Sequence, residues 1–111
     1  MDETKQKQKN NYALRKIKYQ ETQIINICDL SILGKEINQG DFSINISREY
    51  YYGEEISNEQ AIKLLNSSSI INLVGKDIVD LAISLNLAKK NSVKTVENVP
   101  FLMIFKFAGK H

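Results

Sequence analysis

The run from Asn72 to Leu85 limits the possible folds of this chain more than any other stretch. Val74, Ile78, Leu81, Ala82 and Leu85 recur at helical spacing and form one apolar stripe. Such a stripe has to cover a surface. The segments on either side alternate or run continuously apolar, as strands do. The fold expected is α+β: a single small domain with a mainly antiparallel sheet packed against two consecutive helices.

Several strands can be placed from pattern alone. Tyr12 to Tyr19 alternates, the β-branched run Ile24 to Cys28 follows the polar break Gln20-Glu21-Thr22, and a hairpin is the economical connection. Asp29 to Lys35 reads as a turn or one short helical turn. Phe42, Ile44 and Ile46 alternate with polar residues and give the cleanest strand signal. Val93 to Glu97 reads as a short strand and Asn98-Val99-Pro100 as a turn. Phe101 to Phe107 is a nearly unbroken apolar run, expected to lie centrally and covered on both faces.

The first helix starts at Ser57, since Ser57 and Gln60 have the spacing of a capping box, and Asn66 to Ser69 ends it. The second has Asn72 as its expected N-cap and stops near Asn86, a residue that tolerates the left-handed conformation. Residues 1–11 hold no apolar side chain after Met1 and read as a flexible basic tail, leaving 12–108 as the compact domain.

Composition narrows the function classes. A chain of 111 residues with 42% hydrophobic and 25% charged residues is one ordinary globular domain, with no apolar run near the ~20 residues of a membrane span. One cysteine makes no internal disulfide, and the N-terminus has no secretory pattern, so a cytoplasmic setting is expected. The net charge of +2 is unevenly spread. Residues 1–18 hold six Lys/Arg against two acids, residues 19–83 four against ten, and residues 84–111 five against one. Basic ends suit a polyanion. Lys5, Lys7, Lys9, Arg15, Lys16, Lys18, Lys89 and Lys90 are therefore the candidate RNA contacts.

The residues that carry chemistry are few. Asn72, Gly75 and Lys76 form an anion-binding candidate, because helix N-terminal N–H groups lack internal partners and glycine leaves them unshielded. Packing explains Gly75 equally well, and the full phosphate-loop motif is absent. Cys28 has no histidine partner except the terminal His111 and reads as a buried strand cysteine. Ser67, Ser68 and Ser69 lack a triad for the same reason. One Cys and one His build no zinc site, and neither a catalytic residue nor a metal or cofactor is assigned. Glu49, Glu54 and Glu55 beside Tyr50, Tyr51 and Tyr52 suggest an acidic, tyrosine-rich surface for a basic protein, with one or two rings capping the core.

Ile27-Cys28-Asp29 through Leu33-Gly34-Lys35, then Tyr51-Tyr52-Gly53-Glu54 and Asn72-Leu73-Val74-Gly75, with Val99-Pro100 near the end, resemble the archaeal family called domain of unknown function 424. The similarity spans roughly residues 15 to 107. The resemblance implies a compact α+β domain, an archaeal cytoplasmic setting and a genomic neighbourhood of translation and ribosome-maturation genes. Family members usually carry Gly-Val-Pro-His where this chain has Asn98-Val99-Pro100-Phe101. The function expected is a non-catalytic binding module associated with the ribosome or RNA. The alternatives are a protein-interaction adaptor at the acidic tyrosine surface and a phosphate-ligand binder or enzyme at Asn72.

Overall fold

The computed structural model describes residues 9–106. Lys5, Lys7, Phe107 and His111 lie outside them. Among the described residues, a six-stranded sheet is built from β5 (Glu54–Ser57), β1 (Asn10–Tyr19), β2 (Thr22–Asp29), β6 (Ile70–Val74), β8 (Val99–Phe105) and β7 (Lys94–Val96), in that spatial order. All neighbours are antiparallel except β2 and β6, which run parallel. The fold is α+β with a mixed sheet. β3 (Glu36–Gln39) and β4 (Phe42–Asn45) form a separate two-stranded hairpin. The helices are α1 (Arg48–Tyr51), α2 (Asn58–Ser67) and α3 (Lys76–Ser84).

In-register partners share a face, so the pairing sorts the side chains into two layers. Leu14, Ile25, Ile27, Ile56, Ile71, Leu73, Leu102 and Ile104 point to the inner face, where Ala61 and Leu65 of α2 and Ile78, Val79 and Ala82 of α3 cover them. Each such aliphatic side chain taken fully out of water is worth roughly 1.5–3 kcal/mol, and this layer is the main core. A smaller core lies across the sheet, where Cys28 and Val74 meet Ile37 and Ile46, with Tyr51, Val99 and Phe101 against them. Hairpin and α1 cover this part of the outer face only.

Several expectations need correction. Asn72 is no helix cap: the run Ile70–Val74 is a strand, and α3 starts four residues later with Gly75 as its N-cap. Val74 therefore leaves the helical stripe and packs from the sheet. The long apolar strand is not central but fifth of six, beside the edge strand β7, and its outer side is open at Met103 and Phe105. The alternating run at Phe42 does not join the main sheet; it makes the hairpin, and Phe42 is exposed. Glu54–Ser57, read only as surface and helix cap, is an edge strand against β1. β1 begins at Asn10, two residues inside the expected tail.

Other signals hold. Ser57 Oγ accepts from the Gln60 N–H at 3.2 Å while Gln60 Oε1 accepts from the Ser57 N–H at 2.8 Å, the complete capping box. Asn86 takes φ 62° just beyond α3, and Gln20 takes φ 57° in the hairpin between β1 and β2.

Candidate functional site

Three places carry polar or charged groups in numbers: the N-terminus of α3, the basic strand β1, and the outer face of the sheet around Asn72.

The first is closed by the chain's own carboxylate. Asp29, the last residue of β2, accepts from the Asp77 N–H at Oδ2 and from the Ile78 N–H at Oδ1, both at 2.9 Å. These are the helix-end amides an incoming anion would use. Gly75 makes room for this contact: its φ is +121°, and a Cβ there would stand 2.5 Å from Asp29 Oδ2 and 2.8 Å from Asp29 Cβ. Lys76 is exposed and bonds Asp80 one turn on, at 3.1 Å. Of the three anion-site residues, Asn72 sits in β6, Gly75 is buried against Asp29, and Lys76 faces solvent. They do not converge. Burial pushes the Asp29 carboxyl above its ordinary value; the two N–H bonds pull the other way, while Asp77 and Asp80 add to the rise. Sequence reasoning started this helix too early and gave it the wrong cap, because the capping carboxylate lies 48 positions away from Asp77.

Cys28 is fully buried, donates to the Asp29 carbonyl at 3.2 Å, and has its thiol pushed up to about 12, first by burial and then by Asp29. A thiolate nucleophile is thus disfavoured here. Among the described residues no group of three His, Cys, Asp or Glu side chains is placed to hold a metal ion. The tyrosines of α1 and its cap divide their roles. Tyr50 and Tyr51 meet edge to face at 5.1 Å, the Arg48 guanidinium lies 4.4 Å from the Tyr52 ring centre, and Tyr51 reaches the smaller core. Burial raises the Tyr51 hydroxyl to about 12.

The candidate RNA contacts fall in separate places. Lys9, Arg15, Lys16, Lys18, Lys89 and Lys90 are all exposed. Lys16 and Lys18 pair in register with Ile25 and Gln23 and so project on the helix side, whereas Arg15, opposite Asn26, projects on the outer side. Lys16 borders a surface groove with Glu54 of β5 and Gln60 and Lys63 of α2. Lys89 and Lys90 precede β7, at the other edge of the sheet. β1 and β7 are four strand spacings apart, about 19 Å.

The third place was missed by sequence reasoning. Asn26 is completely buried on the outer face, donating to the Tyr50 carbonyl at 3.1 Å and accepting from Asn72 Nδ2 at 2.9 Å. The Asn72 side chain is thereby fixed in a cavity of about 420 Å³ bordered by Tyr50, Tyr51, Lys94, Phe101 and Met103. A polar residue inside each of two apolar strands was the available signal.

Sheet order, one parallel pair and two helices on one face define the class: a small mixed-sheet α+β domain. The chain belongs to the family described as protein of unknown function DUF424, whose model matches residues 17–107. Its fold is also similar to a crystal structure of an uncharacterized conserved protein from Methanopyrus kandleri, with a TM-score of 0.74 and 19% identity over 90% of this chain and 96% of that one. Comparison with curated proteins found no match. No helix among the described residues is long and apolar enough to cross a membrane.

Proposed function

We propose that this chain is a non-catalytic module of the archaeal cytoplasm that associates with the translation machinery by binding RNA. One observation carries the reading. Lys16 and Lys18 stand exposed on the helix side of β1 and Arg15 on its outer side, with no acid paired to any of them among the described residues. Fixed cations on a rigid strand keep a constant spacing for phosphates, and each phosphate neutralised releases counterions. Lys9 lies just before that strand, and Lys89 and Lys90, in the segment that leads into β7, offer a second contact.

Co-sedimentation with ribosomes across a salt series tests it. The bound fraction is expected to be high at low salt and to fall steeply, because log K drops by about 0.7–0.9 per decade of salt for each phosphate contacted. No sedimentation at low salt overturns the proposal.

A second reading, a protein adaptor, is favoured by the exposed Tyr50 and by Glu54 and Glu55 on the edge strand β5. It requires a partner that survives nuclease treatment and is lost on charge reversal at Glu54 and Glu55. A phosphate ligand at Asn72 to Lys76 loses its support, since Asp29 holds the amides it would need.

A further inference from the structure

The part of the outer sheet face that the hairpin and α1 leave open is apolar and aromatic. Ile17, Ile24, Ile70 and Phe105 form one row across β1, β2, β6 and β8, with Tyr19 beyond it on β1 and Met103 beside Asn72 in the next row. Met103 and Phe105 are each 58% exposed and Tyr19 64%. Three large apolar side chains in water on one sheet face cost solvation free energy that a partner would recover.

The charges around this face decide which partner fits. The four inner strands place no carboxylate on it; its cations are Arg15 on β1 and Lys94 on β7. The acids nearby belong to its margins: Glu21 in the hairpin turn, Glu49 on α1 and Glu55 on β5. Asn72 adds a specific group. Its amide gives one N–H to Asn26, so its orientation is set, while its second N–H and its carbonyl have no partner among the described residues. A side-chain amide offering donor and acceptor together is the group that pairs with the N6 and N7 edge of adenine. Aromatic rings on an open sheet, flanked by cations, are the features on which unpaired bases stack. A duplex hides its base faces and has no use for such a surface.

We propose that the open sheet face binds single-stranded RNA, with bases stacked on Tyr19 and Phe105 and one adenine in the Asn72 cavity beside Met103. Arg15 and Lys94 then meet the phosphates at either side. This rests on the RNA-binding reading above and deepens it by naming the strand state and the face.

The test is fluorescence anisotropy of the full chain with a labelled oligoadenylate ten-mer and with an RNA duplex of equal length, both at low salt. Tighter binding of the single strand is expected, with the affinity reduced about 10-fold or more in Phe105→Ala and in Tyr19→Ala. Both side chains are largely exposed, so these variants are expected to keep the fold, which circular dichroism checks. Asn72→Ala is expected to reduce the preference for oligoadenylate over oligouridylate. If the single strand binds Phe105→Ala and Tyr19→Ala as tightly as it binds the unaltered chain, the proposal is overturned. Preference for the duplex, lost on charge reversal of Lys16 and Lys18, also overturns it while leaving the general RNA reading standing. Binding of neither RNA at low salt overturns both.

Discussion

Asp29 is held by two opposed influences, and its titration reports which one governs. The carboxylate caps α3 through two N–H bonds, which favour its charged form, yet burial raises its pKa above the ordinary 3.8. A carboxyl whose pKa is raised on folding binds its proton more tightly in the native state. Its contribution is then complete below the unfolded value near 3.8 and is lost as pH rises through the native one. Asp29→Asn removes that titration and leaves one of the two amides without its oxygen, a loss of about 1–3 kcal/mol. Urea unfolding of both proteins from pH 7 to pH 3.5 is expected to show the unaltered chain gaining on the variant as pH falls. A shrinking gap would mean that the hydrogen bonds outweigh burial. Gly75→Ala attacks the same contact from the other side, since the new Cβ meets the carboxylate and φ +121° is strained for alanine. A destabilisation of about 2–5 kcal/mol is expected from the lowered urea midpoint, part of it recovered when Asp29→Ala is combined with it.

At the level of elements, α2 and α3 solve the same end problem differently. α2 is capped by its own residues, and Ser57→Ala should cost about 0.5–2 kcal/mol, because the Gln60 N–H loses its acceptor while the Ser57 backbone keeps Gln60 Oε1. Gln60→Ala strands the other amide, so a double-mutant cycle by urea denaturation should show coupling rather than additivity. The contrast explains what the sequence could disclose. A capping box lies within four residues and is readable, as are the turn at Gln20 and the helix stop at Asn86. The cap of α3 comes from another strand, so the local pattern gave it to Asn72, the nearest side chain of the right type. The strand Ile70–Val74 was hidden for a related reason: its apolar residues continue into those of α3, and periodicity alone does not divide a buried strand from a following helix. The same limit applied to the site. Phe101 to Phe107 is apolar at nearly every position, so the pattern implied two covered faces. It held no sign that the second layer, the hairpin and α1, stops short of Met103 and Phe105.

Across the whole molecule, the described basic residues early and late in the sequence stand on separate elements, Lys16 and Lys18 on β1 and Lys89 and Lys90 ahead of β7. Lys16 and Lys18 stand on the helix side of β1, whereas Lys89 and Lys90 lie in the turn that leads into β7, a strand about 19 Å from β1, while screening in physiological salt reaches only about 8 Å. The two clusters therefore do not raise each other's local potential appreciably. If a long RNA contacts both, their contributions to binding are independent, and the losses from Lys16→Glu/Lys18→Glu and from Lys89→Glu/Lys90→Glu should add in free energy when the pairs are combined. Each pair of reversals removes about two phosphate contacts and should lower the slope of log K against log salt by about 1.4–1.8, the combined variant by about twice that. Ribosome co-sedimentation over a salt series, repeated with a ten-nucleotide RNA as competitor, measures both quantities. A change in slope from the Lys16 and Lys18 pair alone would confine the RNA to the helix side of β1. No change from either pair, with binding intact, would leave Arg15 and the open face as the contact, since those groups lie on the opposite side from Lys16 and Lys18.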